Sequence, residues 1–330
     1  MLPAAPTLLI DNNGQVPLGR FEGVTHEIDW GRLAPPLARS VCWRTLHHKR
    51  WYYVAMATED LFCAVALVDI GWTSTAFAYV FDRHRRQVVA EFSQNGVPGW
   101  GARLADHCAP GAAHRFHFAG RHIDCEHRGD RSVVELSLRS RGFEIDAEFD
   151  DGGPVLLAVG IVAGGSVHAT QKSSARALRG ELRLGSIRHT LSGGVASFDY
   201  SNGLLARDTA WCWASAHSPA VGFNLQAGYF GAQENALWLD GALIPLGAAR
   251  FDYSGADPMA PWQVQTDDGL LALDFHPEGC RREDKNLLIA ASHYVQPIGV
   301  FNGRVRSQPD AERRVVQGLV GVTEEHRERW

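Results

Sequence analysis

No basic tract, no long apolar run and no paired-cysteine spacing occur in this 330-residue chain. Lys and Arg number 32 against 37 Asp and Glu, and the excess of −5 is spread along the chain. The Arg83–Arg86 and Arg313–Arg314 pieces are too short to form the basic stripe of a nucleic-acid binder, so no nucleic-acid partner is expected. No window approaches the ~20 apolar residues needed to span a bilayer. Met1–Ile10 lacks a positive segment and a long apolar segment, so no secretory leader is expected. Cys42, Cys63, Cys108, Cys125, Cys212 and Cys280 are scattered and several sit in apolar runs. They read as reduced core thiols, which points to the cytoplasm. The common catalytic signatures are missing too: no Gly-x-Ser-x-Gly elbow, no P-loop, no HExxH and no dinucleotide-binding glycine triplet. Gly99-Trp100-Gly101 reads only as a turn. His114 and His117 are three apart and point to opposite faces of a strand. His122, Asp124 and Glu126 share a face beside Arg121 and Arg128, which reads as solvated polar surface. Neither a metal nor a cofactor is expected.

What the chain has in quantity is period two. Phe143–Asp150 alternates apolar and acidic residues without a break, and His114–Phe118 and Ser132–Leu138 do so more loosely. Trp51–Thr58, Leu61–Ile70 and Thr75–Phe81 are apolar on both faces and read as central strands. Turns are expected at Thr58–Asp60, Gly71, Arg128–Asp130, Asp150–Gly153, Asn202-Gly203, Asp268-Gly269 and Asn302-Gly303. This spacing predicts an all-β chain of antiparallel barrels or sandwiches with few short helices, at Ala34–Ser40 and Glu324–Arg329. Apolar residues make up 45%, enough to bury a sizeable core, and the length suits two domains. The glycine-rich Gly153–Gly194 region places their boundary near Leu191, giving halves 1–190 and 191–330.

The most informative stretch is Trp211–His217. On a strand, Trp211, Trp213, Ser215 and His217 share one side, while Cys212, Ala214 and Ala216 share the other. Taken alone, that stripe reads slightly better as aromatic core than as a site. Polar residues on neighbouring apolar strands shift the balance. Ser197–Ser201 carries Asp199 and Tyr200. Asn224 and Gln226 share a face, and Glu234, Trp238 and Asp240 share another. His293 lies on a face with Leu287, Ile289, Ala291 and Val295, where a hydrogen-bonded core residue is the commoner case. Buried polar side chains are costly unless paired, so their clustering points to a lined cavity. In the first half, Lys49, Arg50 and Lys172 are cations able to receive a carboxylate or polar head group, against the commoner surface ion pair. Asp69 closes the apolar face of its strand, and His168, Thr170 and Lys172 share a face.

Several strings resemble the bacterial domain of unknown function family 2804. They are Lys49–Tyr52, Asp69–Trp72, Thr170–Lys172, Asp199–Ala206 running into Trp211–Ala214, and Glu234–Trp238. Asn286–Leu288, Gly299–Gly303 and Gly318–Trp330 complete the set. The likeness runs from about Pro17 onward, and the family carries no settled activity. At fold level the chain looks like the double-lipocalin group of carotenoid hydratases, tocopherol cyclases and fungal cyclases that shape a Diels–Alder reaction. That resemblance implies two lipocalin-like halves packed together, with a cofactor-free pocket for an apolar substrate.

The leading expectation is a cofactor-independent hydratase, isomerase or cyclase acting on an apolar or amphipathic small molecule such as an isoprenoid, polyene or lipid. Asp199 or Glu234 would be a proton donor with a raised pKa, and His217 or Tyr200 would remove a proton or position water. Trp211, Trp213 and Trp238 would stabilise developing positive charge. Lys172 and Asn224 would orient a polar end, with Trp51 as a further wall. The alternative is a lipid or isoprenoid carrier using the same pocket without turnover. Carbohydrate recognition has less behind it, because sugar platforms are exposed aromatics and most tryptophans here lie in apolar strands.

Overall fold

The period-two pattern becomes hydrogen-bonded ladder along most of the chain. The computed structural model describes residues 1–97, 100–138, 142–286 and 290–330, and among these the strands form two antiparallel sheets, of fifteen and nine strands. His48–Ala57, Leu61–Asp69, Ser74–Asp82 and Gln87–Asn95 run as a meander. Phe143–Asp150 pairs with Arg131–Leu138 along its whole alternating length. Gly99 of the expected Gly-Trp-Gly turn lies outside the described residues, as do Leu287 and Ile289.

Each sheet curls onto itself. The Ala102–Leu104 strand ends the path of the first sheet and returns against its far side. There Ala102 N donates to Ser74 Oγ at 3.2 Å, and Arg50 donates to Leu104 O at 2.9 Å. The second sheet wraps around Phe223, Phe275 and Phe301, whose rings meet at 4.5–4.9 Å. Both halves therefore have a core of their own, and a third apolar layer lies between them. That layer explains strands apolar on both faces. In His48–Ala57, Tyr52, Val54 and Met56 fill the first core while Tyr53 faces the other half. In Asp208–His217, Ala214 and Ala216 face the second core while Trp213 packs edge-on to Tyr53 at 5.7 Å.

The chain changes sheets after Leu204. Val195–Leu204, which the 191–330 division assigns to the second half, is hydrogen-bonded within the first sheet between His48–Ala57 and Val167–Ser173. Asp208–His217 opens the second sheet.

Four local expectations are corrected. Asn202-Gly203 and Asn302-Gly303 are not turns but lie within strands. A side chain at position 203 would collide with the His168 ring, and Gly303 sits at a register shift with φ of +147°. Glu324–Arg329 is not helical; it ends the long strand Arg314–Arg329. Its charges alternate, with Glu324, His326 and Glu328 turned inward, so period two survives beneath the charge density. The short α-helix is Val41–His47, and Ser40 caps it by accepting from Trp43 N. His293 is exposed and pairs with Asp284 at 2.5 Å, correcting its placement in an apolar face.

Candidate functional site

Between the two sheets lies a cavity of about 230 Å³. Both halves supply aromatic walls: Trp51, Tyr53 and Phe77 from the first, Trp211, Trp213 and Tyr294 from the second. Trp51 and Trp211 stack across the gap, with centroids 6.2 Å apart and planes within 5°. Asn95, Lys285 and Arg329 reach the rim, where Asn95 and Arg329 are exposed.

One end of the cavity holds an ammonium and two carboxylates. Strand register places Lys172 directly opposite Asp199, and Asp199 opposite Tyr53. Glu234 arrives from the other half on the turn before Ala236–Leu239, where Asn224 Nδ2 donates to its backbone carbonyl at 2.9 Å. Lys172 Nζ forms a close ion pair with Asp199 and stands 3.1 Å from Glu234 Oε2. All three side chains are buried. Burial raises the pKa of Asp199 despite Lys172, and burial likewise raises that of Glu234. Lys172 is held above its ordinary value, because the two carboxylates outweigh its burial. One cation cannot neutralise two buried anions, so burial favours the protonated form of the acids. Asp199 Oδ1 has no hydrogen-bond partner among the described residues.

A second polar group lines the same cavity. Alternation along Arg314–Arg329 turns Glu324, His326 and Glu328 to one side. His326 Nδ1 lies 3.2 Å from Glu324 Oε1, and Nε2 lies 2.5 Å from Glu328 Oε1. These two carboxylates lift the imidazole to about 9 against the opposing effect of burial, so it is an imidazolium at neutral pH. Trp211 Nε1 and Gln296 Nε2 each donate to Glu324 at 2.9 Å, and Tyr79 donates to Gln296. Arg281 is buried nearby against Phe77 at 4.4 Å and Tyr294 at 5.1 Å. It binds Glu91 and Glu283, while its Nη1 has no partner among the described residues.

Taking ions out of water costs several kcal/mol each even when paired. Aromatic burial opposes that cost: a tryptophan that buries ~150–250 Å² contributes about 4–6 kcal/mol.

The structure gathers Asp199, Glu234, Lys172, Trp51, Trp211 and Trp213 around this cavity, and separates the other candidates from it. Tyr200 is adjacent to Asp199 in sequence and therefore on the opposite face. It lies in the core of the first sheet, donating to Ala105 O at 2.9 Å. His217 lines a separate small recess with Ser197 and Phe62 and contacts Ser215 at 3.0 Å. Burial depresses it to about 3, leaving it neutral. Trp238 packs between the halves and donates to Pro154 O at 3.1 Å. Asn224 lies behind the wall, accepting from Trp213 Nε1 at 2.8 Å. Lys49 and Arg50 are also committed elsewhere: Lys49 to the Leu46 and Ile70 carbonyls, Arg50 to Asp69 and Asp106. Glu324, His326, Glu328 and Arg281 were absent from the sequence-derived set. For the first three the signal was alternation inside a charged segment that reads as a short helix; Arg281 lies on another strand, Leu271–Asn286.

Among solved structures, the chain is similar to CghA with Sch210972 at 12% identity, covering 85% of this chain and 87% of that one with a TM-score of 0.56. It is similar to kievitone hydratase from Nectria haematococca at 10% identity, covering 90% and 94% with a TM-score of 0.54. A candidate AttH from Nitrosomonas europaea matches at 13% identity over 89% and 98%, with a TM-score of 0.54. These likenesses establish the fold as the lipocalin-like double barrel. No curated protein matches the sequence. No helix among the described residues is long and apolar enough to cross a membrane. The family described as domain of unknown function DUF2804 matches residues 3–330, and the chain belongs to that family.

Proposed function

We propose that this protein is an acid–base enzyme that adds water to, removes water from, or isomerises an amphipathic small molecule held between the two halves. The observation that carries this reading is the Lys172–Asp199–Glu234 trio, in which one buried cation faces two buried acids. A carboxylic acid kept protonated in an apolar wall is suited to donate to an electron-rich double bond. In the hydration direction, the protonated member gives its proton to one alkene carbon. The adjacent carbon becomes cationic, and the Trp51 and Trp211 faces stabilise it. Water then bonds to that carbon and loses a proton to the carboxylate, restoring the starting state. Loss of a proton from a neighbouring carbon instead yields an isomer. The same two acids serve both steps, so no role is needed for His217 or Tyr200.

At the other end, Arg281 Nη1 offers a donor to a carbonyl, phenol or carboxylate, near the His326 imidazolium that Glu324 and Glu328 hold. The substrate class is therefore an aromatic or polyene skeleton carrying one such oxygen group. One structural neighbour is named a hydratase and another was crystallised with a small molecule, which supports small-molecule chemistry in general.

The test is incubation of the protein in D₂O with a panel of prenylated phenols and polyene acids, read by mass spectrometry. Protonation at carbon places non-exchangeable deuterium in a product. Asp199→Asn should abolish that label while binding persists. Compounds that bind without labelling, in wild type and variants alike, would make the protein a carrier.

A further inference from the structure

Within the core of the first sheet, apart from the interfacial cavity, Cys108, His114 and His127 converge. Their donor atoms all lie within 4.8 Å of one another, and all three side chains are buried. His114 belongs to Ala113–Phe118 and stands opposite Cys125, while His127 ends the partner strand Arg121–His127. His127 is two residues beyond Cys125, so the pleat turns both imidazoles to one face. The connecting loop folds back, with Gly111 N donating to His127 O at 2.7 Å, and delivers Cys108 from the same side.

Two features point to a ligand. His114 is fully buried, yet neither ring nitrogen has a hydrogen-bond partner among the described residues. His127 is oriented from behind: its Nδ1 faces Ser132 Oγ at 2.8 Å and Asp151 Oδ1 at 3.2 Å. That arrangement keeps the proton on Nδ1 and puts the lone pair on Nε2, as carboxylates do behind metal-bound histidines. The Tyr52 hydroxyl donates to that lone pair at 3.1 Å, a bond that a bound ion would displace.

We propose that Cys108, His114 and His127 bind a divalent transition ion of the zinc class, which ties the Ala105–Ala112 loop to the hairpin that follows it. One thiolate and two imidazoles suit such an ion. On binding, Cys108 releases its proton to solvent as the sulfur–metal bond forms, and both imidazoles bind neutral. Tetrahedral bonds of ~2.3 Å to sulfur and ~2.0 Å to nitrogen require donors about 3.3–3.5 Å apart, so the three groups must draw together on binding. The sequence hid this pairing because the partner of His114 is His127 across a hairpin, not the nearby His117.

The test is titration of the full chain, freed of metal by chelator dialysis, with cobalt(II). One equivalent should produce thiolate-to-cobalt charge transfer in the near ultraviolet and tetrahedral d–d bands in the visible, and zinc should erase both. Cys108→Ser should lose the charge-transfer band, and Cys42→Ser, at an exposed thiol, should keep it. Asp151→Asn should weaken affinity about 10–100-fold. A wild-type protein without the thiolate band, or a band that persists in Cys108→Ser, overturns the proposal. If Cys108→Ser does not fold, X-ray absorption of zinc-loaded wild type decides: one sulfur with at least two imidazoles supports the site, and a sulfur-free shell refutes it.

Discussion

Trp51 and Trp211 stack at 6.2 Å with planes within 5°, one from each sheet, so the cavity has a wall that neither half possesses alone. A stacked aromatic pair contributes about 0.5–1.5 kcal/mol beyond the area it buries. A double-mutant cycle with Trp51→Ala and Trp211→Ala, read by urea unfolding, should return a coupling in that range. Zero coupling would mean that the two rings are neighbours without being partners.

Lys172 is the group whose loss should be felt most. Lys172→Met leaves Asp199 and Glu234 buried without a cation and should destabilise the protein by about 3–5 kcal/mol. Adding Asp199→Asn and Glu234→Gln to the same chain should recover most of that loss. Denaturant midpoints of the single and triple variants check this, and an unrecovered triple variant would show that Lys172 acts through packing.

Turnover and stability should part company at the acids. Asp199→Asn removes one of two mutually repelling carboxylates, so its melting temperature should hold or rise. Its rate on any labelled substrate should fall by roughly 10²–10⁴, the usual share of a general acid. Tyr200→Phe should do the reverse. It removes the hydroxyl's bonds to Ala105 O and from Asn202 Nδ2, costing about 1 kcal/mol each, and leaves substrate binding unchanged because its ring faces the first core.

His326 and two other histidines shape the pH profile in opposite senses. His326 is raised from 6.5 to about 9 when folded. Its contribution is complete below pH 6.5 and is lost as pH rises through 9, on the order of 3 kcal/mol. His168 and His217 are depressed to about 3. Their contribution is complete above pH 6.5 and is lost as pH falls toward 3. Stability against urea should therefore peak near pH 6–7, and His326→Gln should flatten only the alkaline side. An unchanged alkaline limb in that variant would remove the imidazolium from the account.

Secondary structure was largely legible because a half-buried strand repeats every two residues. Phe143–Asp150 shows this most clearly, matching the observed strand end to end. The same rule failed where another signal was louder. Charge obscured Glu324–Arg329, and the Asn-Gly pairs at 202 and 302 mimicked hairpin turns while serving close packing and a bulge.

The sequence by itself determined the all-β class, the aromatic stripe on Asp208–His217 and the supply of buried acids, since each follows from local alternation and composition. Only the tertiary structure decided which of those residues share a cavity. Lys172 meets Asp199 through pairing between strands far apart in the chain, and Glu234 joins them from the other sheet. The physical reason is that alternation fixes only which residues share a face, whereas sheet order and the packing of one curled sheet on another fix what that face meets.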